Sequence, residues 1–410
     1  MRHNAIIAGV GMTHFGKFLE TGLKAIGAEA VQAAVSDAGL ALGDIQAAFV
    51  GNAAAGLVTG QESIRGQVIL RSIGMGRIPV VNVENACASG STAFHQAAAM
   101  VTAGAYDVVL ALGVEKLYSE DRKKSFGAFS GAVDVELMQA LMASLQAGAA
   151  KDGASAGASG AGEKRSMFMD IYAAVARGHM ERYGTTVEQF AMVSAKNSFH
   201  GARNSRAQFR EELTVEQVLA SPMIAEPLTR PMCSPIGDGA AAIVIVSEAK
   251  ARALGITRPV RVVSSVLCSG WDHGMDEPGA GEHCSGQAYE EAGIGPADLS
   301  VVELHDASAP GEILAYEYLG LCAKGEGGRL VEDGVTRLGG RQPVNTSGGL
   351  LRKGHPVGAT GAAQIVELTE QLQGRSGDRQ VAGARIGLAQ NGGGNIGTDV
   401  AAMVVTVLQA

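Results

Sequence analysis

Ala38-Gly39-Leu40-Ala41-Leu42-Gly43-Asp44-Ile45 is answered by Ala292-Gly293-Ile294-Gly295-Pro296-Ala297-Asp298-Leu299, an offset of 254 residues (38 to 292). The same offset carries Gly51-Asn52-Ala53 onto His305-Asp306-Ala307. The repeat points to two halves of similar topology related by duplication; chance matching of helix-end glycines is the alternative. Around the repeat, strand-like and helix-like stretches alternate. AIIAGVG (5–11), VRVVSSVLC (260–268) and AMVVTVL (402–408) read as strands. DVVLALGVE (107–115) and AAIVIVSEA (241–249) are continuous β-rich runs of the kind found in buried strands. AIGAEAVQAAVSDAGL (25–40) has the period of an amphipathic helix. The pattern predicts an α/β protein with its sheets covered on both faces.

Composition narrows the function. Lys plus Arg total 33 and Asp plus Glu 41, a net charge of −8, so there is no basic footprint for a nucleic-acid backbone. Charged residues make up only 18% and mean hydropathy is +0.13, which excludes a disordered chain. The chain holds 57 glycines, roughly twice the usual share, and only 4% aromatics. Its core must therefore rest on small and aliphatic side chains with backbones in close approach. No run of 18 apolar residues exists, so no membrane span is expected. The first apolar run stops at glycine and reads as a strand and turn rather than a signal peptide, and VVTVLQA carries no retention signal. Cys87, Cys233, Cys268, Cys284 and Cys322 are scattered, with no CxxC pair. That spacing predicts no metal site and no disulfide framework, and fits a reducing, cytoplasmic compartment. SLQAGAAKDGASAGASGAGE (144–163) is a Gly/Ala/Ser-rich run that reads as a mobile loop. Helical patterns follow it at 165–184 and 186–204. The expected division is a first half of 1–117 and 231–256, an inserted loop domain of 118–230, and a second half of 257–410.

Four constellations carry chemistry. Asn85-Ala86-Cys87-Ala88-Ser89-Gly90-Ser91 lies between a β-rich run and a helical pattern, so Cys87 should stand at a helix N-terminus, where exposed N–H groups favour a thiolate. A buried structural cysteine is the competing reading. His355, boxed by Gly354 and Pro356 after Asn345-Thr346-Ser347-Gly348-Gly349, is held in a rigid turn and can take a proton from a thiol; alternatively it caps the following helix. His305-Asp306, at the end of a strand-like run, can polarise an oxygen. Neighbours on a strand face opposite ways, so the two need not touch, and a plain strand-end turn is the alternative. Gln390-Asn391-Gly392-Gly393-Gly394 follows a strand and can bring backbone N–H groups close to a ligand, as half of an oxyanion hole. A phosphate loop is discounted, because neither GxxxxGK[ST] nor a GxGxxG in a βαβ setting is present.

In this order, the four segments resemble the thiolase superfamily, most closely thiolases of the sterol-carrier-protein type. CASGS around Cys87 is similar to their nucleophile motif, HDAS (305–308) to their HDCF motif, and VNTSGGLLRKGHPVGATGA (344–362) to their NPSGG…GHPLGATG segment. HMERYG (179–184), CSPIGDGAAA (233–242) and EYLGLC (317–322) extend the likeness over nearly the whole chain. The resemblance implies a duplicated thiolase fold: two mixed five-stranded sheets with helices in layers, plus the inserted loop domain. It implies acyl transfer from a 3-oxoacyl-CoA through a thioester on Cys87, activated by His355. His305 would stabilise the enolate oxygen, and the N–H groups of Cys87 and Gly392 would form the oxyanion hole. Coenzyme A is the implied co-substrate, with no bound cofactor and no metal. A homodimer and a small OB-fold/zinc-ribbon partner protein are the implied associations. One departure stands out. The family's second catalytic thiol is absent from both places that carry it, which here are Ala307 and Gln390, and Ser308 replaces the phenylalanine of HDCF. His305, Ser308 or a water is left to replace that thiol, or a partner chain supplies it. The alternatives are a retro-aldolase acting on a β-hydroxyacyl-CoA and a non-catalytic acyl-CoA- or lipid-binding subunit.

Overall fold

The structure, a computed structural model, describes residues 3–140, 166–274 and 277–410. The run at 144–163 therefore lies outside the described residues. The strands are β1 (Ala5–Met12), β2 (Ala47–Gly51), β3 (Val80–Val83), β4 (Val108–Glu115), β5 (Met223–Ala225), β6 (Leu228–Thr229), β7 (Gly239–Ser247), β8 (Val260–Cys268), β9 (Val301–Glu303), β10 (Ile386–Ile396) and β11 (Asp399–Gln409). Among the described residues, the helices of at least eight residues are α1 (Leu23–Asp37), α2 (Arg65–Ser72), α3 (Ser89–Thr102), α4 (Met167–Tyr183), α5 (Val187–Ala202), α6 (Ala280–Ala292), α7 (Ala309–Tyr318) and α8 (Thr360–Leu372).

Nine strands form one sheet in the order β3-β2-β4-β7-β1-β8-β11-β10-β9, while β5 and β6 pair separately. The order is nearly palindromic in topology. β1, β2, β4 and β7 of the first half correspond to β8, β9, β10 and β11 of the second. The expected pair of separate five-stranded sheets is corrected on two counts. First, β1 and β8 pair antiparallel, with Ile6 opposite Arg261 and Ile7 opposite Val260, which fuses the halves. Second, the counterpart of β3 shrinks to a single bridge between Val302 and Val344. The next residue, Asn345, has φ of 55° and donates Nδ2 to the buried Glu312 carboxylate while its Oδ1 accepts the Leu304 amide. That turn ends the ladder and sends the chain toward the His355 segment.

Period-2 alternation sorts the strands' side chains. On β4, Val109 and Ala111 join one core cluster, whereas Val108, Leu110, Leu112 and Val114 join another. The first cluster gathers strand residues from both halves around the helices α3 and α8. The second covers the outer face of the first half with α1 and α2, burying Ile26, Ala30, Val31, Ala34 and Val35 of α1. A third covers the outer face of the second half with α6, α7 and α5. The central pair explains the glycine-rich, aromatic-poor composition. A Cβ on Gly90 would stand 2.6 Å from the Gly358 carbonyl oxygen, and one on Gly361 2.6 Å from Ser91 Cβ. Only glycine lets α3 and α8 start side by side, and their starts carry Cys87 and His355.

Candidate active site

Cys87 stands between β3 and α3, one residue before the N-cap Ala88. The turn is strained, since Ala86 has φ of 47°, a left-handed conformation that costs a non-glycine residue about 1–2 kcal/mol. A local net of bonds holds it. Ser89 Oγ accepts the Asn85 amide at 2.9 Å and donates to the Ala86 carbonyl at 2.7 Å, and the Ala88 amide reaches the Asn85 carbonyl at 2.9 Å. The placement matches the sequence expectation, but the electrostatics do not. Burial, with the Glu115 carboxylate adding to it, pushes the Cys87 thiol up to about 12. The amides of Gly394 and Cys87 itself pull in the opposite direction and are outweighed. The cysteine is therefore a thiol that needs a base, not a thiolate made by the helix dipole.

His305 and His355 are brought to it. One ligating atom from each of Cys87, His305 and His355 lies within 4.8 Å of the others, and the two imidazole rings meet edge to face at 5.2 Å. Cys/His/His is a donor set that can hold a soft cation. The spacing argument against a metal did not foresee this grouping, because its members are far apart in the chain.

The hydrogen bonds at each ring assign its tautomer. Thr360 Oγ1 donates to the Pro356 carbonyl at 3.1 Å, so it accepts from His355 Nδ1 at 2.8 Å. His355 Nε2 is then left with a lone pair. Asn391 turns its Nδ2 to His305 Nδ1 at 2.8 Å and its Oδ1 to Ser91 Oγ at 2.7 Å, a hydroxyl that also reaches the Ala88 carbonyl at 2.9 Å, and in this orientation the amide donates to the ring. His305 Nε2 then carries the hydrogen. Burial lowers both imidazoles: His305 falls to about 4, and His355 lies well below the usual 6.5, with His305 adding to the shift. The site thus holds a neutral acceptor and a neutral donor.

Asp306 does not serve His305. Its carboxylate accepts the Leu350 amide at 2.7 Å and Asn197 Nδ2 at 2.8 Å, tying the turn after β9 to the segment that leads to His355. Ser308 is the N-cap of α7, its Oγ accepting the Gly311 amide at 3.3 Å. The glycine run expected after a strand lies within β10, where Gly392 stands opposite Met403 and Gly393 opposite Ala402. The strand amide that reaches the Cys87 sulfur is that of Gly394, at φ of 66°. Cys233 sends its Sγ to the Thr229 carbonyl at 3.6 Å. Gln390, in the place of a missing thiol, accepts the His305 amide at 2.9 Å.

Sequence reasoning missed the groups that position this trio. Glu115, at the end of β4, accepts the amides of Ala53 at 3.2 Å and Gly358 at 3.0 Å. In the sequence Asn391 shows only as part of a glycine run, and Thr360 and Ser91 carry no signal of their own. The one available signal was a carboxylate closing the apolar run DVVLALGVE.

Comparison with known proteins agrees with this architecture. The family described as "Thiolase, N-terminal domain" matches residues 5–249, and "Thiolase C-terminal domain-like" matches 278–406. An acetyl-CoA acetyltransferase of Methanothermobacter thermautotrophicus is 41% identical over 403 residues, covering 97% of this chain and 98% of its own. The benzoylsuccinyl-CoA thiolase subunit BbsB of Thauera aromatica is 37% identical over 93% of this chain and 92% of its own. Human sterol carrier protein 2 is 35% identical over 94% of this chain and 69% of its own. A solved structure described as an Ltp2-ChsH2(DUF35) aldolase superposes with a TM-score of 0.79 at 27% identity, over 99% of this chain and 98% of that one.

Proposed function

The chain belongs to the thiolase family, and from that premise we propose that it is an acyl-CoA C-acyltransferase working on a 3-oxoacyl-CoA through a thioester on Cys87. The observation that carries this is the trio of Cys87, His305 and His355 within 4.8 Å, with the two imidazoles in opposite tautomers. His355 Nε2 takes the Cys87 proton as the sulfur attacks the 3-oxo carbon. The Cys87 amide and that of Gly392 hold the oxygen of the tetrahedral intermediate, with Gly394 facing the sulfur. When the C2–C3 bond breaks, its electron pair passes to the shorter acyl-CoA as an enolate, whose oxygen accepts from His305 Nε2–H. Coenzyme A then attacks the Cys87 thioester, and the His355 proton returns to the sulfur. A thiol nucleophile and N–H donors at both oxygens call for no resident cofactor. The reverse sequence forms the C–C bond.

The second reading is a retro-aldolase, favoured by the likeness to the aldolase structure and by Ala307 and Gln390 standing where a second thiol would. Retention of Cys87 speaks against it. The same likeness, together with BbsB being named a subunit, supports a small OB-fold/zinc-ribbon partner for a cytoplasmic homodimer of this chain. Intact-mass measurement after exposure to acyl-CoA thioesters tests the main reading. Cys87 should gain the acyl mass, and Cys87→Ala should lose it together with at least about 10³-fold in turnover. Label on Cys233, or cleavage that proceeds without free coenzyme A, would exclude thiolysis through Cys87. Binding without turnover would leave only a carrier subunit.

A further inference from the structure

The mechanism above leaves one proton without a donor: the enolate released on C–C cleavage must be protonated at carbon, the two places of the family's second thiol are Ala307 and Gln390 here, and Cys233, bridged across to Ser308, turns its Sγ to the Thr229 carbonyl. Tyr172 is placed for this. It projects from α4, in the segment between the two halves, and packs half-buried against the core of the second half. Its ring edge, Cε1, lies 3.7 Å from the position a Cβ would take on Gly311, itself 3.4 Å from Ser308 Oγ. The ring thus packs on the first turn of α7, directly after the HDAS turn that bears Ala307. Burial raises its hydroxyl, and the charges of Cys87 and then Asp306 add to the shift. Two buried phenols are already committed, Tyr289 donating to the Leu319 carbonyl and Tyr316 to Glu312. No hydrogen bond holds the Tyr172 hydroxyl among the described residues.

We propose that Tyr172 is the acid/base that stands in for the missing second thiol. The inference rests on the acyl-transfer reading above. On cleavage, the Tyr172 O–H bond breaks and its proton goes to C2 of the enolate, leaving a phenolate. The incoming coenzyme A thiol then gives its proton to that phenolate and attacks the Cys87 thioester as a thiolate. Cys87 leaves and recovers its proton from His355, so both acid/base groups return to their starting states. Burial raises the phenol well above its ordinary value, so the group rests neutral and ready to donate. Ser308 is a weaker candidate, because its oxygen is the cap of α7.

The test uses the full-length protein with acetoacetyl-CoA, acetyl-CoA and free coenzyme A. Tyr172→Phe should react with iodoacetamide at the wild-type rate, because alkylation of Cys87 uses His355 and not the phenol. Cleavage of acetoacetyl-CoA should fall about 10²–10⁴-fold, the usual range for an acid/base group. Exchange of the acetyl-CoA methyl hydrogens in heavy water should fall in parallel. Wild-type cleavage by Tyr172→Phe, or a loss that appears in Ser308→Ala instead, would overturn the proposal. Equal loss of alkylation and cleavage would also overturn it, since that marks a structural residue. Failure of the wild-type protein to acylate at Cys87 is the separate result that would remove the underlying acyl-transfer reading.

Discussion

His305 and His355 differ in which ring nitrogen carries the hydrogen, and in the proposed mechanism that difference divides their work. His355 donates through Nδ1 to Thr360, so its Nε2 is basic; His305 accepts through Nδ1 from Asn391, so its Nε2 is a donor. With burial holding Cys87 as a thiol, alkylation by iodoacetamide needs the base and not the donor. His355→Ala should slow that reaction about 10²-fold at pH 7, whereas His305→Ala should leave it nearly unchanged and impair C–C chemistry. Stopped alkylation assays check this, and equal effects of the two variants would contradict the division. The pH dependence follows in sign. His355 is shifted well below 6.5, so it remains a base at pH 6.5, where an ordinary imidazole would be half protonated. The alkylation rate should hold as pH falls through 6.5 and drop only lower. Folding stability should drop in a related window. Between 6.5 and about 4 the unfolded chain binds a proton that folded His305 refuses, so stability is full above 6.5 and is lost as pH falls toward 4.

Strand β4 acts at the scale of an element, by what its last residue holds. Glu115 closes an otherwise apolar strand with a fully buried carboxylate. It gathers the amides of Ala53, Ala54 and Gly358, so the end of the sheet fixes the turn that carries His355. Glu115→Gln would aim an NH2 group at amide donors and leave at least one of them unsatisfied. The expected cost is about 1–3 kcal/mol, read as a lower urea midpoint, with slower Cys87 alkylation because His355 is no longer held. An unchanged midpoint would show that the carboxylate is not the clamp. The same strand shows what was legible in the sequence. Its β-rich run announced a buried strand, and the motifs with Gly and Pro around Cys87, His305 and His355 marked three side chains that the fold brings together, because those signals are local. Glu115 with Gly358 and Asn391 with His305 join residues far apart along the chain, and no local pattern encodes such meetings. The direction of the Cys87 shift was illegible for the same reason: the helix start is visible in the sequence, but the depth of burial is made by both halves together.

For the molecule as a whole, duplication makes the two ends of the sheet comparable, and they are finished differently. At one end β9 is buried, and Val302 is bridged to Val344. At the other end β3 pairs with β2 on one side only, and Val81 is 42% exposed. An unpaired apolar edge strand invites pairing with another strand, and proteins either protect such an edge or use it. Two-fold pairing of β3 with its copy would extend the nine strands into a continuous sheet across the dimer, with both contact surfaces the same by symmetry. The Leu57 and Ile64 side chains, exposed by 52% and 57% in the connection between β2 and β3, would add apolar area beside the strand. The chain should therefore sediment as a dimer of about twice 41.9 kDa at micromolar concentration. Val81→Asp would place like charges near each other across the axis and should shift the population toward the monomer, leaving the intrachain Cys87, His305 and His355 arrangement in place. A wild-type mass near 42 kDa would refute pairing, and a variant that stays dimeric would move the interface away from β3.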